Sequence, residues 1–220
     1  VAPGEKVALV GPTGAGKSSI INLLGRFYEY QKGSVSIDGN LIQDIDLQSL
    51  RKHVGIVVQD VFLFSDTIYN NITLNNPRIS MEEVRTAAKE IGADDFIMRL
   101  PGDYQYAVGE RGGTLSVGQR QLLAFIRAYL YNPGILILDE ATSSVDTESE
   151  EMIQKATEKI TENRTSIIIA HRLATIQKSD RIMVVDDGKI IESGSHTKLL
   201  KQNGFYKNLY DMQFATELKS

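Results

Sequence analysis

The run Gly11-Pro12-Thr13-Gly14-Ala15-Gly16-Lys17-Ser18, followed by Ser19, constrains this chain more than any other feature. It stands between a short apolar run, Lys6–Val10, and a stretch of helical character from Lys17 to about Tyr28. A strand, a glycine-rich turn and a helix in that order make an anion cradle. Gly14 and Gly16 let the backbone turn tightly and bring its N–H groups up to a phosphate with no Cβ in the way. Those amides open a helix, so the positive end of the helix dipole faces the same point. The Lys17 ammonium can neutralise the outer phosphates of a nucleotide, and the Ser18 hydroxyl can hold Mg²⁺.

The rest of the chain alternates strand-like and helical signals. Ser34–Asp38 alternates and meets an Asp38-Gly39 turn, and Val54–Gln59 is a second apolar run. Residues from Ser80 to about Leu100 read as helices, opened by a Ser80/Glu83 capping box. Gly102–Thr114 is irregular, and Ser116–Tyr131 is helical with a broad apolar face. Ile135–Leu138, a helix over Thr147–Thr161, Ser166–Ala170 and Arg181–Asp186 follow. Asp187-Gly188 then predicts a hairpin into Lys189-Ile190-Ile191, and the tail from His196 to about Met212 is helical. Continuous apolar strands between helices predict an α/β fold with a mostly parallel sheet flanked by helices. On this reading residues 1–60 and 131–220 form one α/β core, and residues 61–130 are an inserted helical subdomain.

Composition closes off several function classes. The chain has 220 residues and no cysteine, so disulfide frameworks, thiolate metal sites and cysteine nucleophiles are excluded. Lys and Arg number 24 against 28 Asp and Glu, a net charge of −4, which gives no global basic footprint for nucleic acid. No apolar run approaches the roughly 20 residues of a membrane helix. The chain opens on Val1 with no leader-like segment, so it reads as a piece of a longer protein.

Two further places carry chemistry. Ile135–Leu138 runs into adjacent carboxylates, Asp139 and Glu140, at a strand end, and ligands of parallel sheets gather at that end. Asp139 is suited to Mg²⁺, and Glu140 to taking a proton from an attacking water. Read alone, the pair could equally be solvated acids before the next helix. Leu115-Ser116-Val117-Gly118-Gln119 opens the apolar helix, and there a plain capping box between Ser116 and Gln119 is the better local reading. Gln59 and His171 each follow a strand, and each alone is an ordinary polar strand terminus.

Taken in order, the phosphate loop, Gln59, Leu115–Gln119, Asp139-Glu140, Ser143-Ser144-Val145-Asp146 and His171 resemble the nucleotide-binding domain of ATP-binding cassette transporters. The resemblance covers essentially the whole chain. It implies a RecA-like P-loop NTPase fold, with Gly11, Pro12, Thr13, Gly14, Ala15, Gly16, Lys17, Ser18 and Ser19 on the nucleotide. It implies Ser18, Gln59 and Asp139 on Mg²⁺, and catalysis by Glu140, His171, Gln59 and Lys17. Leu115, Ser116, Val117, Gly118 and Gln119 would be the signature segment that meets ATP held by a second such domain, identical or different. Ser143, Ser144, Val145 and Asp146 would form the loop at that dimer interface.

Val108–Gly112, Gln59-Asp60 and Thr67–Ile72 resemble the exporter branch of the family. A transmembrane domain ahead of this one in the same polypeptide is implied, with the present domain on the cytoplasmic side and no nucleic-acid partner. Two rival functions remain at this point: a soluble cassette ATPase acting on nucleic acid or the ribosome, and a dimerisation module that holds ATP without turnover. Val117 departs from the commonest signature, which has Gly there. The family also carries strands upstream with an aromatic that stacks on adenine; they are missing here, and Tyr28 and Tyr30 do not match that position. Loss of one such stack weakens nucleotide binding by about 1–3 kcal/mol.

Overall fold

The structure is a computed structural model that describes residues 1–140 and 147–214. In chain order its main elements are β1 (Lys6–Val10), α1 (Lys17–Leu24), β2 (Ser36–Ile37), β3 (Asn40–Leu41), α2 (Leu47–His53) and β4 (Val54–Val57). They continue with α3 (Ile68–Thr73), α4 (Met81–Ile91), α5 (Asp94–Met98), α6 (Val117–Tyr131), β5 (Ile135–Asp139) and α7 (Thr147–Thr161). The last are β6 (Thr165–Ile169), α8 (Leu173–Gln177), β7 (Arg181–Asp186), β8 (Lys189–Gly194), α9 (His196–Gln202) and α10 (Phe205–Phe214). By packing they fall into two units: residues 1–56, 134–140 and 164–220 in the first, residues 57–133 and 141–163 in the second.

The first unit is built on a six-stranded sheet in the order β4-β5-β6-β1-β7-β8. β1 pairs parallel with β6 and β7, and β5 pairs parallel with β6. β8 closes the edge antiparallel to β7 through the expected hairpin. Asp187 and Gly188 both have positive φ, 45° and 70°, as a two-residue turn of that hand requires. β1 explains why its sequence is apolar without alternation. Val7, Ala8, Leu9 and Val10 are all at most 2% exposed, so both faces of the strand are covered. Val7, Leu9, Ile137, Ile167, Ile169 and Val185 of the sheet pack with Ile21 of α1 and Leu50 of α2 in one apolar core.

Helix α1 ends earlier than its sequence suggests. Gly25 closes it, and a Cβ there would come within 2.6 Å of the Ile56 side chain. Arg26 then turns into the left-handed region at φ 49° and donates to the Ile42 and Ile45 carbonyls. The C-terminal helical pattern is likewise split: Asn203, with φ 51°, ends α9, and α10 restarts two residues later. Helices α2, α3 and α8 are not among the elements the pattern predicts.

The second unit is helical, and among its described residues it holds only an isolated bridge, Thr67 to Ala107, plus the last residue of β4. Helix α6 packs on α3, α4 and α7, burying Leu122, Leu123, Phe125 and Ile126. Helix α7 adds Ile153, Ala156 and Ile160 to that core. The Ser80/Glu83 capping box opens α4, with both reciprocal bonds formed, and Gly92 at φ 76° closes it. Fully buried Asn71 links the segment before α3 to α6. Its side chain bonds both backbone groups of Phe64 and accepts from the Arg127 guanidinium at 3.1 Å.

Candidate functional site

The phosphate loop leaves the central strand β1 and enters α1 within six residues. Gly11 has φ 152°, and a Cβ on it would stand 2.1 Å from the Val185 carbonyl oxygen of β7. Gly14 and Gly16 sit at φ 81° and 103°, which side chains rarely allow. The loop is braced from two sides. Ala15 N–H donates to the Pro12 carbonyl at 3.2 Å, and the Gly188 amide of the β7–β8 turn donates to the Ala15 carbonyl at 2.9 Å. Gly16 is the N-cap of α1 and offers no side-chain acceptor, so the first amides of the helix are left for another acceptor. Ser18 and Ser19 are exposed at this helix start.

Lys17 is only 8% exposed. Its ammonium folds back on the loop and donates to the Gly11 and Pro12 carbonyls at 2.7 and 2.9 Å. Burial pushes its pKa down, and the negative charge of Asp139 pulls it back up. Asp139 shows the reciprocal pattern: burial raises its pKa and Lys17 lowers it. His171 is pushed toward its neutral form, first by burial and then by the Lys17 charge. The Lys17 charge therefore acts on both Asp139 and His171 near the carboxyl ends of β1, β5 and β6.

Glu140 does not fit the alternative reading of a solvated strand-end acid. It is 4% exposed. Its amide continues the ladder by donating to the Ile169 carbonyl at 3.2 Å. Its Oε2 accepts from the His171 and Arg172 amides at 3.0 and 3.3 Å, and its Oε1 from the Thr175 hydroxyl at 2.5 Å. Burial raises its pKa, and the Thr175 and His171 hydrogen bonds oppose that rise. Thr175 is a site residue that sequence reading missed. Its only signal is a hydroxyl four residues past a strand-end histidine, too common a pattern to single out.

Gln59 and the segment 115–119 belong to the second unit. Gln59 is exposed two residues past β4. Ser116 caps α6: its hydroxyl accepts from the Gln119 amide at 3.2 Å, and Gln119 Oε1 accepts from the Ser116 amide at 3.0 Å. The local capping reading is thus correct, and Ser116 remains exposed while doing it. Leu115 and Gly118 are buried, and the Arg120 guanidinium donates to the Leu115 carbonyl at 2.7 Å. Val117 is partly buried. Ser143, Ser144, Val145 and Asp146 lie outside the described residues.

Among the described residues no group of three or more His, Asp or Glu side chains is arranged to hold a metal ion by itself. The donors at hand, an exposed Ser18 hydroxyl and the Asp139 carboxylate beside an anion cradle, fit a different mode. Mg²⁺ is commonly held by one or two protein oxygens, with water and substrate phosphates supplying the rest.

The ABC transporter family model matches residues 1–143. Over 215 residues the chain is 54% identical to an ATP-dependent lipid A-core flippase of Methylobacillus flagellatus, covering 97% of this chain and 37% of that protein. It is 50% identical over 210 residues to a Bacillus subtilis protein named "probable multidrug resistance ABC transporter ATP-binding/permease protein", covering 96% of this chain and 31% of that one. The chain thus spans about a third of the length of the curated relatives it matches. A solved structure of a bacterial Atm1-family ABC exporter with ATP bound superposes with a TM-score of 0.89 at 47% identity, over 97% of this chain and 37% of that one.

Proposed function

The chain belongs to the ATP-binding cassette transporter family, and from that premise we propose that it binds ATP and hydrolyses it to drive export of a substrate across a membrane. The observation that carries the reading is the glycine-built loop with its buried lysine, set beside Asp139 and His171. An uncapped helix start, two positive-φ glycines and a buried ammonium suit a triphosphate. The ammonium's present partners are two loop carbonyls, and anionic phosphate oxygens are stronger acceptors for it.

In this proposal the amides of residues 14–18 and Lys17 bind the β- and γ-phosphates. Ser18 and Asp139 hold Mg²⁺, which when bound supplies positive charge to the phosphate oxygens. Water attacks the γ-phosphorus, the bond to the ADP oxygen breaks, and the water's proton passes to Glu140. His171, pushed toward its neutral form by burial and by the Lys17 charge, donates a single hydrogen bond to a γ-phosphate oxygen without adding charge. Most of the rate comes from fixed charges and dipoles aimed at the transferring group. The roles of Gln59, of residues 115–119 and of the 143–146 loop rest on the resemblance alone. So do a second domain of the same kind as partner and a position on the cytoplasmic side of the membrane. Relatives named as ATP-binding/permease proteins, three times as long as this chain, support a transmembrane domain in the same polypeptide.

The test measures MgATP affinity and phosphate release for the full chain and two variants. Lys17→Ala weakens binding by about ten- to a hundredfold, the scale of one or two charge-assisted hydrogen bonds. Glu140→Gln keeps binding and loses at least about a hundredfold in turnover. Native affinity in the first would sink the cradle, and native turnover in the second would sink the proton-acceptor role.

A further inference from the structure

Glu140 is held more completely than a base waiting for water needs to be. Three donors converge on its carboxylate: the His171 amide, the Arg172 amide and the Thr175 hydroxyl. A carboxylate has about four lone-pair sites, so three are in use. The group is 4% exposed, and Thr175 is itself buried at 9%. In these largely shielded surroundings the threonine hydroxyl spends its one proton on the 2.5 Å bond to Oε1. The position of Thr175 is fixed in turn. It lies within α8, and its carbonyl accepts the Ser179 hydroxyl at 2.8 Å. A proton acceptor must bring an oxygen within about 2.6–3.2 Å of the proton it takes. Here both oxygens are bonded inward.

We infer that Thr175 is a positioning residue: its hydroxyl, together with the His171 and Arg172 amides, stores the Glu140 carboxylate in a withdrawn position that it must leave before water is activated. The inference rests on the reading of Glu140 as proton acceptor. It adds a mechanical consequence. The carboxylate bonds the backbone of the residue that carries the His171 imidazole. Releasing Glu140 therefore also takes this acceptor from the His171 and Arg172 amides, which ties the carboxylate to the segment that carries the His171 imidazole.

The experiment compares Thr175→Val, nearly the same shape without a donor, with Thr175→Ser, which keeps the hydroxyl, in the full chain. With Val, kcat for ATP hydrolysis rises about tenfold, the equivalent of one hydrogen bond to a charged group, while KM for ATP stays within about twofold. Ser restores the native rate. Without nucleotide, hydrogen exchange at the His171 and Arg172 amides speeds up several-fold with Val and not with Ser. A folded Val variant with unchanged or reduced kcat, or unchanged exchange at those amides, overturns the inference. If Val does not fold, Thr175→Ala is put to the same measurements with the same criteria. Glu140→Gln is run in parallel. Native turnover in that variant removes the proton-acceptor reading itself; loss of turnover there with no gain in Thr175→Val removes only the storage role.

Discussion

Replacing Gly11 and Gly14 by alanine should separate the two reasons this loop needs glycine. At Gly14 a Cβ meets nothing within 4 Å, so only the backbone conformation is at stake. Holding an alanine at φ 81° costs about 1–2 kcal/mol, partly offset by about 0.4–1 kcal/mol from a stiffer unfolded chain. The net is a loss of about 1 kcal/mol. At Gly11 the added Cβ lies 2.1 Å from the Val185 carbonyl oxygen, where real contacts begin near 3.0 Å, so about 0.9 Å must be found. The obstacle is backbone, and Val185 follows the Val10–Val184 register pair of β1 and β7 at the centre of the sheet. Overpacking of that kind costs about 1–3 kcal/mol, and the φ of 152° adds strain, for a total near 3 kcal/mol.

For a chain of this size each kcal/mol moves the thermal midpoint by about 2–4 °C. Calorimetry without nucleotide should show a drop of about 6–12 °C for Gly11→Ala and about 2–4 °C for Gly14→Ala. Equal shifts, or a larger one at Gly14, would refute the claim that the β7 carbonyl dictates residue 11.

Ser116→Ala removes the cap of α6 and should lower stability by about 1 kcal/mol in urea titration; if Ser116 also reaches a partner-held phosphate, ATP turnover falls at least about tenfold beyond that loss. Asn71→Ala strips four hydrogen bonds from a fully buried amide, including those to Phe64, and should cost about 3 kcal/mol or more by the same titration. His196 has its pKa pushed down by burial, and its Nδ1 stands 2.6 Å from the Tyr206 hydroxyl. The unfolded chain therefore takes up a proton first as pH falls below about 6.5, and stability declines from there until the folded state also protonates. A thermal midpoint measured from pH 7.5 to 5.5 should fall less steeply in His196→Phe than in the native chain.

Helix starts, turns and the phosphate loop were legible because their causes lie within a few residues. Ser80 with Glu83, Ser116 with Gln119, and Asp187-Gly188 are each decided by bonds or torsions spanning at most four positions, and each is found where the pattern put it. The strand ends were legible for a related reason. A parallel sheet needs unbroken apolar runs, and the polar residue after such a run marks the end where ligands collect. Less was legible where a local pattern had two solutions. The helical signal after Lys17 runs on to Tyr28, whereas in the fold α1 closes at Gly25 and Arg26 turns into the left-handed region, its guanidinium bonded to the Ile42 and Ile45 carbonyls.

By itself the sequence determined that this chain carries a phosphate cradle between a buried strand and a helix, and that two acids stand at another strand's end. The tertiary structure alone decided what those groups touch. The order β5-β6-β1-β7 makes neighbours of strands far apart in the chain, and so delivers Thr175 to Glu140 across 35 positions and the Gly188 amide to the phosphate loop. In the same way Arg127 reaches Asn71 across 56 positions. Bonds of that kind form only after the sheet and the helices have closed over buried polar groups, which must then take whatever partner the packing leaves within reach.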